Sequence, residues 1–254
     1  MARYFKKEAL AQIREKFDTV EKRANDLLLA FMRHRFKDEQ AREYAHQGFS
    51  RRVGTLRRGL QNIFKIIPPG TIRVPSREKL YDAQINLQSF VVNVYGGTDN
   101  LAWVWIYERG LSKSMDRRQV GLRKSHTKVR SSFSPEFQKY LEGMDPWFEY
   151  ITEYRDSLGH RIPLYIPPGG VRPKDRAAYD DLEFRKTTVL SHLNFSEHER
   201  LTDEQDKLLI FQPLTLHSFK ESTAPYVFHV QILADFATVE ELGQRMLEEL
   251  KRPT

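Results

Sequence analysis

The sequence predicts a mainly α-helical fold, a helical bundle followed by a C-terminal helical hairpin and a small β element. Three observations predict it. Apolar side chains recur at three- and four-residue steps through two long segments of the N-terminal half, the period of a helix with one buried face. Helix-start signals precede several later segments. Residues of strand type gather in two short runs, IFQPLTLH and YVFHVQIL, from position 210 onward.

The first helix is expected over residues 3–46, with Phe5, Ile13, Val20, Leu27 and Phe31 among its buried positions and Gly48 where it should stop. The run SRRVGTLRRGLQNIFKIIPPG then reads as a loop or short helix ended by a turn at Pro68, Pro69 and Gly70. Ser76 can cap a second long helix whose apolar stripe runs from Leu80 to Ile106. Gly96 and Gly97 inside it mark a kink or a close helix contact. Residues 109–133 are basic and irregular.

Ser134-Pro135-Glu136 has the form of an N-cap with proline at the first helical position, which costs nothing because that N–H has no partner in a helix. After a break at Gly143 to Pro146, Trp147, Phe148, Ile151, Tyr154 and Leu158 keep helical spacing until Gly159 and Pro163. RIPLYIPPGG must be extended, and its three prolines bar it from a central strand. Residues 174–208 read as two charged helices, the second opened by Ser196 with Glu199 three positions on. A polar KESTAP connection separates the two strand runs, and Thr238 with Glu241 forms a capping box for a last helix through Leu250. The expected organisation is a bundle over residues 1–165 with an extension over 166–254 packed on it.

Hydrophobic residues make up 40% of the 254 positions and charged ones 30%, a globular rather than a disordered balance. No run approaches the roughly 18 apolar residues of a membrane helix, so no membrane partner is expected. The N-terminus lacks the apolar stretch of a secretory signal, and with no cysteine there is no disulfide, thiolate nucleophile or Cys-type zinc site. A cytoplasmic location is the expectation. Net charge is +7, and it is segregated: residues 1–80 carry 19 Lys/Arg against 9 Asp/Glu, while residues 131–254 carry 14 against 21. A basic end would draw phosphate-rich partners, and solvated basic helix faces would give the same count.

Tyr154-Arg155-Asp156-Ser157-Leu158-Gly159-His160 places a guanidinium, a carboxylate and an imidazole at a helix end. Arginine is a permanent, forked donor suited to phosphate oxygens, and histidine exchanges protons near neutral pH. Asp156 precedes His160 by four residues, so on a continuing helix it can orient the ring. Arg155 and His160, five apart, stand about 140° apart around an ideal helix, so they meet only if the helix loosens at Gly159 or if two copies join across a two-fold axis.

Arg155, the polar Asp156 directly after it, and His160 near the end of a bundle helix resemble the Arg-x4-6-His signature of the HEPN superfamily. The same spacing recurs at Arg185 and His192, but there Lys186 follows the arginine and the helix-end setting is missing. The resemblance covers roughly residues 1–165 and implies an antiparallel bundle. It also implies a metal-independent endoribonuclease acting on RNA as a homodimer, needing no cofactor, in a toxin–antitoxin setting with an antitoxin partner, or in phage defence. A catalytically silent scaffold that binds RNA or a protein is the alternative. On that reading Arg155, His160 and Asp156 form the catalytic group. Arg51, Arg52, Arg57, Arg58, Arg123 and Lys124 are candidate RNA-backbone contacts, each equally readable as soluble surface.

His192 and His198, six apart, are poorly spaced for two ligands on one helix, so no metal site is expected. His217 and His229 fall in the strand runs as structural residues. Trp103, Trp105 and Trp147 sit at apolar helical positions and read as core. Asp99-Asn100 within an apolar helix reads as a buried polar network or as support for the Arg155 site.

Overall fold

The computed structural model describes residues 4–218 and 225–253, so Lys220 to Ala224 of the expected KESTAP connection lie outside the described residues. The chain is mainly helical, with two small antiparallel strand pairs. Its N-terminal part runs α1 (Lys7–Arg33), α2 (Glu39–Glu43), a π-helical turn at Tyr44–Phe49, α3 (Ser50–Ile66) and α4 (Arg77–Glu108). After a loop with short helical turns, including α5 (Thr127–Arg130), come α6 (Pro135–Gly143) and α7 (Asp145–His160). The hairpin α8 (Arg176–Ser191) and α9 (Phe195–Asp206) follows, and α10 (Phe228–Leu250) closes the chain.

Helix α4 is the central element: α3, α7 and α10 all pack along it, and α1 covers α3 and α10. The core between them holds Phe31, Phe49, Leu60, Phe90, Leu101 and Phe236, each almost without exposure. Because α10 lies in this core, the bundle draws residues from both sides of position 165. The strands are two residues each: Gly170–Val171 (β1) pairs with Leu209–Ile210 (β2), and Leu214–Thr215 (β3) with Tyr226–Val227 (β4).

Several expected boundaries move. The helix expected over 3–46 ends at Arg33, and the chain turns through residues 34–38 before α2. Phe36 lodges between His34 and His46, Asp38 accepts from the Ala41 N–H at 2.8 Å, and Glu108 accepts from the Lys37 N–H at 2.9 Å. Those contacts satisfy the freed backbone groups and hold the bend. Gly48 is not a stop. It lies inside the π-helical turn, where a Cβ would come within 2.8 Å of Asn100, so glycine permits a close crossing of α4.

The segment around Gly54, read as a loop or short helix, is the 17-residue α3, whose Val53, Leu56, Leu60 and Ile63 form one buried stripe. The turn at Pro68 is as expected, with the Thr71 N–H donating to its carbonyl. Asn194, not Ser196, caps α9 by accepting from the Glu197 N–H at 3.2 Å. Of YVFHVQIL only Tyr226 and Val227 are strand; Phe228 begins α10, and His229 is therefore helical. Thr238 sits within α10, its hydroxyl bonded to the Ala234 carbonyl rather than capping a start.

The Ser134 cap is as read from sequence, accepting from the Phe137 N–H at 3.3 Å. Gly96 and Gly97 leave α4 unbroken; at Gly96 the Arg52 guanidinium occupies the space a Cβ would need. Trp105 is buried, Trp103 is half-buried against Tyr44 and Tyr107, and Trp147 is half-buried with its indole N–H on Asp235. No described helix is long and apolar enough to cross a membrane.

Candidate functional site

Helix α7 carries the Arg155, Asp156 and His160 group. Phe148, Ile151, Tyr154 and Ser157 are its buried residues, which fixes the rotation of the helix on α4. The helix stays regular through His160, so the loosening at Gly159 that would bring Arg155 and His160 together does not occur. Within one chain the two side chains project on faces about 140° apart. Arg155 turns toward α4, while His160 is exposed and makes no side-chain hydrogen bond among the described residues.

Arg155 is held firmly. One guanidinium nitrogen donates to the Tyr95 hydroxyl at 2.7 Å, and another lies 2.9 Å from the Asp156 carboxylate. The guanidinium also sits over the Tyr95 ring, 4.1 Å from its centroid, a geometry attractive to a cation. Its Nε is buried without a partner. Arg123 lies over the same ring at 4.5 Å and pairs with Asp99 at 3.0 Å. Burial pushes the Asp99 carboxyl above its ordinary range, and the Arg123 charge opposes that shift.

His126 completes the cluster. An arginine can only donate, so the 3.3 Å contact from Arg123 makes His126 Nε2 the acceptor and leaves the proton on Nδ1, beside Ser125 at 3.4 Å. Burial first, and the Arg123 charge second, lower the His126 pKa and favour this neutral form. The ring rests on Gly121, where a Cβ would meet it at 2.8 Å. Tyr95, Asp99, Arg123, His126 and Arg155 thus form one polar network between α4, α7 and the basic loop. Asp99, readable from sequence as support for Arg155, belongs to it; Tyr95 and His126 carried no sequence signal beyond the four-residue step from Tyr95 to Asp99.

The candidate backbone contacts divide. Arg51 and Arg58 are exposed and lie about 20° apart on α3 by ideal helix geometry. Arg52 instead donates to Asn100 at 2.8 Å and to Asn93 at 3.1 Å, and Arg57 donates to Asn25 at 2.8 Å. Asn93, Gly96 and Asn100 mark the α4 face toward α3, whereas Tyr95 and Asp99 stand about 60–160° away around the same helix, toward Arg155. Arg52 therefore meets a different face of α4 from the one that holds Arg155, and Arg57 is turned toward α1. Arg123 shares the Tyr95 ring with Arg155, and Lys124, which lines one groove with Arg123 and Asp156, is exposed and without an ion-pair partner among the described residues.

Beside this cluster is an open groove of about 650 Å³. One wall is a single face of α7 carrying Asp145, Phe148, Glu149, Thr152, Glu153 and Asp156; Arg123, Lys124, Ser125 and Arg161 supply the rest. Asp145 is paired with Arg130, Asp156 with Arg155, and Glu153 lies 4.0 Å from His217. The Thr152 hydroxyl is shut from solvent and lacks a hydrogen-bond partner. Among the described residues no three His, Asp or Glu side chains are grouped to hold a metal ion.

Comparisons of the chain with protein-family models, with curated proteins and with solved structures find no match.

Proposed function

We propose that this chain is a metal-independent endoribonuclease of the HEPN type, working as a homodimer. The observation that carries the reading is the pairing, on one helix end, of an Arg155 anchored by Tyr95 and Asp156 with a His160 left free at the last turn. A transition-state anion is best stabilised by a cation already fixed in place, because no reorganisation is then needed at the moment of reaction. A proton carrier has the opposite need, access to the substrate, and His160 has it.

In the proposed reaction neutral His160 takes the proton from a ribose 2′-hydroxyl as that oxygen attacks the adjacent phosphorus. Charge gathers on the non-bridging oxygens and is met by Arg155. The bond to the 5′-oxygen breaks, and that oxygen takes a proton from His160 of the partner subunit. The products are a 2′,3′-cyclic phosphate and a 5′-hydroxyl. Two-fold pairing at the α7 end supplies the second histidine and sets the Arg155 of one subunit near the His160 of the other, which the 140° separation denies a single chain. A toxin–antitoxin or phage-defence setting, with an antitoxin as partner, belongs to the same reading.

The engagement of Arg155 with Tyr95 and Asp156 favours a second reading, a silent scaffold in which the arginine only ties α7 to α4. End chemistry separates the two. Incubation with single-stranded RNA should leave cyclic-phosphate and 5′-hydroxyl ends, and DNA of the same sequence should stay intact because it lacks the nucleophile. RNA bound but uncut, or DNA cut equally, would remove the nuclease reading.

A further inference from the structure

We propose that the groove along α7 is a nucleobase subsite that takes a guanine of the RNA next to the scissile phosphate. The inference rests on the nuclease reading for its RNA, and on the groove for its base. By ideal helix geometry Asp156 and His160 stand about 40° apart on α7, on the same face as Asp145, Glu149, Thr152 and Glu153. The face that forms the groove wall therefore runs on into the proton-carrying residue. A strand with its phosphate at that end places an adjoining base in the groove, whose volume of about 650 Å³ accommodates a nucleotide.

The charges left unpaired choose the base. Three of the four carboxylates in the wall already face a cation or His217; Glu149, exposed on α7, has no partner among the described residues. A carboxylate is acceptor-only and takes two parallel donors at once. Guanine presents such a pair, N1–H beside the 2-amino group. Adenine presents an acceptor at N1 beside its amino group, so a carboxylate there meets one lone pair head-on. The unpaired Lys124 is placed for the phosphate of the same nucleotide.

Binding of uncleavable 2′-O-methyl oligonucleotides tests this without reading cleavage. One oligonucleotide has a single guanine in a run of cytosines, and the other has adenine in its place. The guanine oligonucleotide should bind at least about 10-fold more tightly, the scale of one bidentate base contact. Glu149→Gln should erase the preference, and Lys124→Ala should weaken both oligonucleotides alike. Both changes are at exposed positions without ion pairs, so the fold should be kept. Equal binding by the wild type, or a preference that survives Glu149→Gln, would overturn the proposal. Selective binding of free GMP over AMP without a preference between the oligonucleotides would also overturn it, because the groove would then serve a free nucleotide. Failure of RNA cleavage alone would count against the nuclease reading and leave these binding results to stand.

Discussion

The Arg155 guanidinium donates to the Tyr95 hydroxyl at 2.7 Å while lying 4.1 Å from the centroid of the same ring, across 60 residues of sequence. The phenol thus sets both the position and the orientation of the one cation that α7 turns inward. Tyr95→Phe keeps the ring and removes the acceptor. It should cost about 1–2 kcal/mol of stability, the scale of a hydrogen bond to a charged group that is only partly buried. In the nuclease reading it should also lower kcat more than KM, because a mispositioned Arg155 loses transition-state contacts before ground-state ones. Thermal melts and steady-state cleavage measure the two effects separately.

Two glycines should respond with opposite sign. A Cβ on Gly243 would lie 3.0 Å from Phe49 and 3.2 Å from Leu27, where α10 crosses α1 and the π-helical turn. Gly243→Val should destabilise by about 1–3 kcal/mol through overpacking. Gly54, inside α3, has nothing within 4 Å of the added carbon. Gly54→Ala should stabilise by up to about 1 kcal/mol by removing chain entropy from the unfolded state. Denaturant melts of the two variants should move to opposite sides of the wild type.

Two buried groups on α10 should give stability a pH dependence in opposite directions. Burial raises the Asp235 pKa to about 6, although Trp147, Gln231 and Tyr150 donate to it. A raised acid is stabilising while protonated, so its contribution is full below pH 4 and is lost as pH rises to 6, on the order of 3 kcal/mol. Burial lowers the His229 pKa to about 4, with Nε2 donating to the Ile67 carbonyl at 2.6 Å. A depressed histidine contributes above pH 6.5 and loses that contribution as pH falls to 4, by a similar amount. The two largely cancel in the wild type. Asp235→Asn should therefore make stability rise steeply with pH between 4 and 6.5, and His229→Gln should make it fall. Parallel Tm-against-pH curves for the three proteins would contradict this account.

The sequence shows best what is set locally. The Ser134 cap, the α4 stripe and the Tyr154 to His160 helix end each depend on neighbours within a turn or two, and each forms as read. The full length of α3 was hidden because its arginine pairs and Gly54 suggest a loop or at most a short helix, although Val53, Leu56, Leu60 and Ile63 keep helical spacing. The start of α10 was hidden for a different reason. Its exposed side carries Val230 and Ala234 rather than charges, so beside buried Phe228, His229, Ile232 and Leu233 little polar face marks a helix, and a short apolar run fits a strand equally well. At the site, the α7 residues were legible but their partners were not. Tyr95 and Arg123 come to Arg155, and His126 to Arg123, only through the packing of α4 and the basic loop on α7, and no local pattern records that packing. The arginine pairs of α3 illustrate the reverse error, since one member of each pair is bound to asparagine and only the other faces solvent.

The most direct test of the central claim compares wild type with His160→Ala on end-labelled RNA in excess EDTA. His160 is exposed and makes no side-chain hydrogen bond among the described residues, so the substitution should leave folding unchanged, as matching melts would verify. The account predicts cutting by the wild type in EDTA and a loss of at least about 100-fold in the variant, the scale of a general acid–base group. Equal cutting by both proteins, or none by either while RNA remains bound, would contradict it.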